Sequence, residues 1–300
     1  RVFGVPDGEF VPEPGFASRW RCGDVVCSRV ADSTVASLSA RAREKQPTGD
    51  VEIAVAKPLR GSDGRYVVGG WRADRYPASA RAEARPDEII ALAGSLGTTL
   101  RGAWPPRRRS TDALWRPAAV FDHAMAAAWS GDPSKDLDAG LKYHVERQGE
   151  DRFEGHRAEA LIAATGLARL RDGIDRVAGD PAETGGARGA DAPVAHVDLV
   201  HSLRYTEEGT PLLTDVVVEP ADPIRGQAIA AVDLLVAHAA GEDLLWRWDL
   251  LQGWSRNIVC AMAYRLGVHA IHPDSAASAF AGLRSAAGHV ERYARAAHGL

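Results

Sequence analysis

From Phe3 to about Tyr76, apolar and β-branched residues come in short runs broken by turn formers. Glu9 to Pro12, Ser18 to Cys22, Asp24 to Arg29, Val51 to Ala56 and Gly64 to Ala73 read as strands, separated by Pro-Gly, Cys-Gly-Asp and Ser-Asp-Gly turns. One helix interrupts them, from about Asp32 to Lys45, where Val35, Leu38, Ala40 and Ala42 are interleaved with Arg41, Arg43 and Glu44. After about Pro77 the spacing becomes helical. Pro86-Asp87-Glu88 makes a good first turn, because proline presets the helical φ and the acids meet the positive helix end, ahead of Ile89, Ile90, Ala93, Leu96 and Leu100. Further helices are predicted at Pro117 to Trp129, Arg157 to Val177, Ile224 to Ala239, Glu242 to Leu266 and about Asp274 to Ala297. The pattern divides the chain into a small strand-rich lobe at 1–76 and a mostly helical lobe at 77–300.

Two segments of the helical half break the pattern. Gly179 to Pro193 is poor in apolar residues and rich in glycine, the composition of a mobile loop. Pro193 to Leu199 and Pro211 to Val218 are apolar and β-branched and flank the turn-forming Thr206-Glu207-Glu208-Gly209-Thr210. They predict a hairpin embedded among helices, with Asp198 on one arm and Asp215 on the other. The fold class is α+β and bilobal.

Bulk properties narrow the function classes. With 36 Lys and Arg against 40 Asp and Glu, for a formal charge of -4, there is no overall basic field to recruit nucleic acid or anionic lipid. Cys22, Cys27 and Cys260 are too few and too scattered for a disulfide framework or a paired zinc site, which fits a reducing compartment. No apolar run approaches the ~20 residues of a membrane helix, and the first residues lack the basic-then-apolar pattern of a signal peptide, so a cytoplasmic location is expected. Gly-x-Ser-x-Gly, His-Glu-x-x-His, Walker and dinucleotide signatures are absent. His269 and His272 share a helix face without an evident third ligand and read as helix C-terminal capping, while Trp246, Trp248 and Trp254 read as core.

Two carboxylates in one cleft suit phosphoryl transfer, which needs one group to orient a hydroxyl and another to hold the metal that ties down nucleotide phosphates. His196-Val197-Asp198-Leu199, a turn, and then Leu213-Thr214-Asp215-Val216 resemble the catalytic-loop and metal-binding signatures of the aminoglycoside phosphotransferase family, whose fold is that of protein kinases. The resemblance covers most of the chain in order, with a hinge near Trp71 to Tyr76. It implies a bilobal protein-kinase-like fold, ATP and Mg²⁺ as cofactors, Asp198 as the catalytic aspartate, Asp215 as the metal ligand and His196 as a supporting residue. Asp233, a carboxylate inside the apolar run Ile229 to Leu235, either accepts hydrogen bonds from the catalytic-loop backbone, as a similarly placed aspartate does in kinases, or sits at a solvated edge of its helix.

Three departures from the family pattern point to weak or absent ATP chemistry. The metal-coordinating Asn falls on Ser202 or Leu203. Ser28 stands where the strand Asp24 to Arg29 is expected to carry the phosphate-binding lysine, and Arg29 beside it faces the other way by period-two alternation. The turn Pro14 to Ser18 has only Gly15 where a phosphate-covering loop wants several glycines. Ser28, Arg29, Ser202 and Gly15 are therefore the candidate contacts to a nucleotide. With the lysine gone, Glu44 reads as a surface charge. Two functions are compatible with these residues. One is a pseudokinase-type binding or scaffold protein whose interlobe cleft holds a partner protein, peptide or small molecule. The other is an ATP-dependent phosphotransferase acting on a small-molecule or peptide hydroxyl through Asp198 and Asp215, with Arg19 or Arg29 replacing the lysine.

Overall fold

The N-terminal part supplies, in chain order, β1 (Val11–Pro12), β2 (Arg19–Cys22), β3 (Val25–Arg29), α1 (Ser33–Glu44), β4 (Ala54–Val55), β5 (Lys57–Leu59) and β6 (Trp71–Arg75). The computed structural model describes residues 2–5, 9–12, 18–30, 32–45, 52–100, 117–129, 135–138, 140–142, 155–178, 192–272 and 275–300. Five of the strands form one antiparallel sheet in the order β1-β2-β3-β6-β5. Asp32 caps α1, its carboxylate accepting from the amides of Thr34 at 2.8 Å and Val35 at 3.1 Å.

Gly64 to Ala73 is not the single strand expected from the sequence. Gly69 and Gly70 both take positive φ, 59° and 79°, and turn the chain so that Val68 and Trp71 exchange backbone hydrogen bonds; β6 starts only at Trp71. The segment near Trp71 read as a hinge is thus a paired strand. Lys57–Leu59 carries Pro58 at the sheet edge, where a proline is tolerated. Ala54–Val55 leaves this sheet and pairs parallel with a strand of the C-terminal half, β9 below.

The C-terminal part supplies α2 (Pro86–Thr99), α3 (Pro117–Trp129), α4 (His156–Ala178), β7 (Val194–His196), α5 (Leu199–Ser202), β8 (Leu203–Tyr205), β9 (Pro211–Leu213), β10 (Val218–Pro220), α6 (Pro223–Val236), α7 (Asp243–Arg247), α8 (Trp254–Ile271) and α9 (Ala277–His298). The single helix expected over Glu242 to Leu266 is two, α7 and α8, parted by a turn at whose end Gly253 sits in the left-handed region at φ 75°. Helix α8 is buried along most of its length, with Ile258, Val259, Cys260, Ala261 and Met262 all at 0% exposure, and it is enclosed by α3, α4, α6 and α9. Trp254 is core as expected, its Nε1 donating to the Leu245 carbonyl at 2.9 Å, whereas Trp246 is exposed. His269 does not cap α8; it is buried and its Nε2 lies 2.9 Å from Nδ1 of His156, with burial pushing its pKa down to about 4. No helix among the described residues is long and apolar enough to cross a membrane. The expected loop over Gly179 to Pro193 falls, but for its last two residues, outside the described residues.

Two glycines bring the helices against the segment that carries Asp198. A Cβ on Gly97 of α2 would stand 2.7 Å from the Val194 carbonyl oxygen and 2.5 Å from Pro223 Cγ, and one on Gly226 of α6 would stand 3.1 Å from the backbone of His196. Backbone and a proline ring cannot step aside as a flexible side chain can. Gly97→Ala should cost about 1–3 kcal/mol by urea unfolding, as overpacking does. Gly166→Ala, on α4 with nothing within 4 Å of the added methyl, should instead be neutral or gain about 0.5–1 kcal/mol of helix propensity. Equal stability of the two variants would contradict the close approach.

Candidate functional site

The hairpin of the C-terminal half pairs differently from the sequence expectation. The inner hairpin is β8 with β9, closed by Thr206 to Thr210 with Gly209 at φ 81°, while β7 pairs with β10 outside it. Asp198 follows β7 and Asp215 lies between β9 and β10, so each aspartate sits on a loop between paired strands rather than on an arm of one hairpin. Buried His196 joins the two loops: its Nδ1 accepts from the Asp198 amide at 3.3 Å and its Nε2 lies 3.2 Å from the Asp215 carbonyl oxygen. That pair of contacts suits a neutral ring protonated on Nε2, and burial pushes the His196 pKa down, which keeps it neutral. Ser202 adds a second tie, its carbonyl accepting from the amide and hydroxyl of Thr214 at 2.7 and 2.8 Å.

Asp215 is enclosed by partners supplied from the N-terminal part. Arg72 of β6 places Nη1 2.7 Å from Asp215 Oδ2, and the Ser39 hydroxyl of α1 donates to Oδ1. Behind Arg72, Asp74 lies 3.2 Å from its Nε and 2.8 Å from Nη1 of Arg43, and the same Nη1 donates to the Thr214 carbonyl at 2.9 Å. Burial opposes ionisation of Asp215, but Arg72, then Arg43, then the Ser39 hydroxyl outweigh it and hold the carboxyl far below the usual range. Arg43, Asp74, Arg72 and Asp215 thus form a largely buried chain of alternating charge from α1 through the sheet to the Asp215 loop.

Asp198 is placed differently, with its side chain 40% exposed. Its Oδ1 lies 2.9 Å from Nδ1 of His201 and 4.0 Å from Nη2 of Arg265. Burial raises its pKa, yet the His201 hydrogen bond and the charges of His201 and Arg265 leave it below the ordinary carboxylate value. The Asp198 partner in turn raises the pKa of His201. Asp233 is buried as the apolar helix demands, and it reaches the loop through an intermediary: Arg265 Nε donates to its Oδ1 at 2.6 Å, and Arg265 Nη2 donates to the Val197 carbonyl at 3.2 Å. The direct acceptance of loop amides in one of the two readings of Asp233 is replaced by this relay, which satisfies a charge whose isolated burial would be costly.

Both aspartates line one cleft of about 400 Å³, together with Ser28, Arg29, Arg72 and Arg265. Ser28 is buried at the centre of a cross-strand rung, opposite Arg19 on β2 and Arg72 on β6, so an arginine flanks the serine on each side. Arg29 is exposed. Ser202 is buried at 1% and is not among the residues lining the cleft, and Leu203 beside it is buried in β8. Gly15 lies outside the described residues. Glu44 is a surface charge as expected, paired with Arg60 at 2.8 Å.

The residues that sequence reasoning missed are Arg72, Ser39, Arg43 and Arg265. A signal for the first lay in Arg72-x-Asp74, two charges on one face of an otherwise buried strand, and for the next two in the four-residue spacing of Ser39 and Arg43 on one face of α1. The donor set does not fit a divalent cation at Asp215: one carboxylate oxygen is held by a guanidinium, the other accepts from the Ser39 hydroxyl and at 2.9 Å from the Val216 amide, and neither Ser202 nor Leu203 offers a ligand to the cleft. Among the described residues no group of three His, Cys, Asp or Glu side chains could hold a metal.

The His201–Asp198 pair sets a pH window. The imidazolium form of His201 is favoured in the fold, so its contribution is complete below the unfolded histidine pKa and is lost as pH rises through the higher folded one. Asp198 contributes above the unfolded carboxylate pKa and loses its part as pH falls through the lower folded one. An NMR titration should find His201 above the ordinary imidazole value of about 6.5 and Asp198→Asn should bring it down; an unchanged His201 titration in the variant would contradict the pairing.

No protein-family model matches the chain, and no curated protein matches it by sequence. Solved structures that align over nearly all of it include the following. An aminoglycoside phosphotransferase from Alicyclobacillus acidocaldarius shares 15% identity, with 99% of this chain and 98% of that chain covered and a TM-score of 0.42. A microcompartment-associated aminopropanol kinase shares 12% identity over 100% and 93% with a TM-score of 0.47. A thermostable mutant of an aminoglycoside phosphotransferase, solved as a ternary complex with AMP-PNP and hygromycin B, shares 14% over 98% and 95%, also with a TM-score of 0.47. The α+β arrangement expected from the sequence is observed, and both aspartates line one cleft.

Proposed function

We propose that this chain is a pseudokinase-type binding protein whose cleft between sheet and helices holds a small molecule, or a segment of a peptide or partner protein, without transferring a phosphoryl group. The observation that carries this reading is the engagement of both Asp215 oxygens inside the chain, by Arg72 and by Ser39. Phosphoryl transfer relies on metal ions that neutralise charge spread over the phosphates, and a carboxylate committed to a guanidinium does not recruit one. Burial of Ser202 away from the cleft and the serine at position 28 support the same reading.

A second reading, an ATP-dependent phosphotransferase, is favoured by one feature. Asp198 stays partly exposed in the cleft and ionised, as a base for an acceptor hydroxyl must be. In it Asp198 orients the hydroxyl, and the arginines beside Ser28 meet the phosphates.

Thermal-shift titration with ATP, with and without magnesium, separates the two, because a ligand of the native state raises the melting temperature by an amount set by its concentration over Kd. The binding-protein reading expects no magnesium-dependent shift at 1 mM ATP, roughly, and no ADP formation. A shift of several degrees that requires magnesium and disappears in Asp215→Asn would sink it in favour of the second reading.

A further inference from the structure

Asp215 stands where a metal-dependent cleft of this kind would hold its cation, yet the place beside it is filled by a side chain. Arg72 Nη1 is 2.7 Å from Oδ2, within the range of a charge-assisted hydrogen bond. The arginine is not a surface group that happens to reach in: its side chain is 9% exposed, it lies in the strand between β3 and β5, and its Nε is 3.2 Å from Asp74. Asp74 is itself fixed from the far side by Arg43, whose side chain is 0% exposed. Swinging Arg72 out would leave Asp74 and Asp215 sharing one arginine, an uncompensated buried charge of the kind that costs about 3–5 kcal/mol.

The charges of the cluster also balance. Arg43 and Arg72 cancel Asp74 and Asp215, so the cluster presents no surplus negative charge to a divalent cation, and a guanidinium at hydrogen-bond distance repels one. Magnesium demands oxygen ligands at about 2.0–2.1 Å in near-octahedral geometry; the oxygens of Asp215 already serve Arg72, Ser39 and the Val216 amide. We propose that Arg72 takes the place of a divalent cation at Asp215, so that the cleft excludes such cations and receives its ligand without metal. This rests on the reading of the cleft as a ligand site, but the exclusion of cations is a property of the protein alone and is measured with no organic ligand present.

The test is a titration of the full chain with MnCl₂, following the EPR signal of free Mn²⁺. Wild type should leave that signal as it is in buffer up to millimolar Mn²⁺. Arg72→Gln removes the charge and keeps a hydrogen-bonding side chain; it should bind Mn²⁺ on the order of tenfold more tightly than wild type or better, because two carboxylates then face one arginine. Adding Asp215→Asn should abolish the gain, and Arg72→Lys, which keeps the charge, should remain silent. Mn²⁺ binding by wild type that is lost in Asp215→Asn overturns the proposal, as does a folded Arg72→Gln with no gain. If circular dichroism shows Arg72→Gln unfolded, the wild-type and Asp215→Asn titrations decide alone. Magnesium-dependent nucleotide binding would count against the function proposed above, and is read in a separate experiment.

Discussion

The contact between the Arg72 guanidinium and the Asp215 carboxylate ties the sheet-rich part of the chain to the helical part at the floor of the cleft. The bond spans strand β6 and the loop before β10, and it is buttressed on both sides. Ser39 of α1 reaches the other carboxylate oxygen, and Arg43 of the same helix holds Asp74 and the Thr214 carbonyl. Helix α1, the central sheet and the Asp215 loop are therefore positioned by one largely buried alternation of charge. Such networks contribute little net stability over an apolar core of the same shape, but a member cannot be removed cheaply. What the network contributes is a fixed geometry for the cleft floor.

The second aspartate depends on a different support. Asp198 is set by β7, and β7 is where α2 and α6 come so close that a Cβ on Gly97 would clash and one on Gly226 would be tight against the His196 backbone. His196 links its loop to that of Asp215, and Arg265 holds the Val197 carbonyl while neutralising Asp233 on α6. One wall of the cleft is thus preorganised by close backbone packing and one relay, the other by the arginine network. The two differ in availability: Asp198 keeps 40% of its side chain in solvent, Asp215 only 17%. A ligand entering the cleft meets the first as an accessible acceptor and the second as part of the wall.

Much of this was legible in the sequence. The helices from Pro86 and Pro117 and α1 follow from apolar spacing and turn formers, and Asp198 and Asp215 were legible as a pair in one strand-forming segment, though on hairpin arms rather than on the loops where they lie. What could not be read was pairing. Local pattern made one hairpin of two segments that in the structure nest one strand pair inside another, because the turn at Thr206 to Thr210 specifies β8 with β9 and says nothing of β7 with β10. The break between α7 and α8 was hidden because Trp248, Leu251 and Trp254 keep a helix-like spacing across it, although Gly253 marks it. The arginine network was missed for the same reason as the strand pairing: Ser28 marks a lost cation only within its own strand, and Arg72 becomes its neighbour through a register that no stretch of sequence displays.

Coupling between positions 72 and 215 is the quantity on which the account turns, and a double-mutant cycle of Arg72→Met, Asp215→Asn and the pair, by urea unfolding, measures it. Each single change should be strongly destabilising and the pair much less so than their sum, with a coupling of about 1.5–3 kcal/mol. Additivity within about 0.5 kcal/mol would mean that the two groups do not depend on each other, and the cleft described here would have lost its floor.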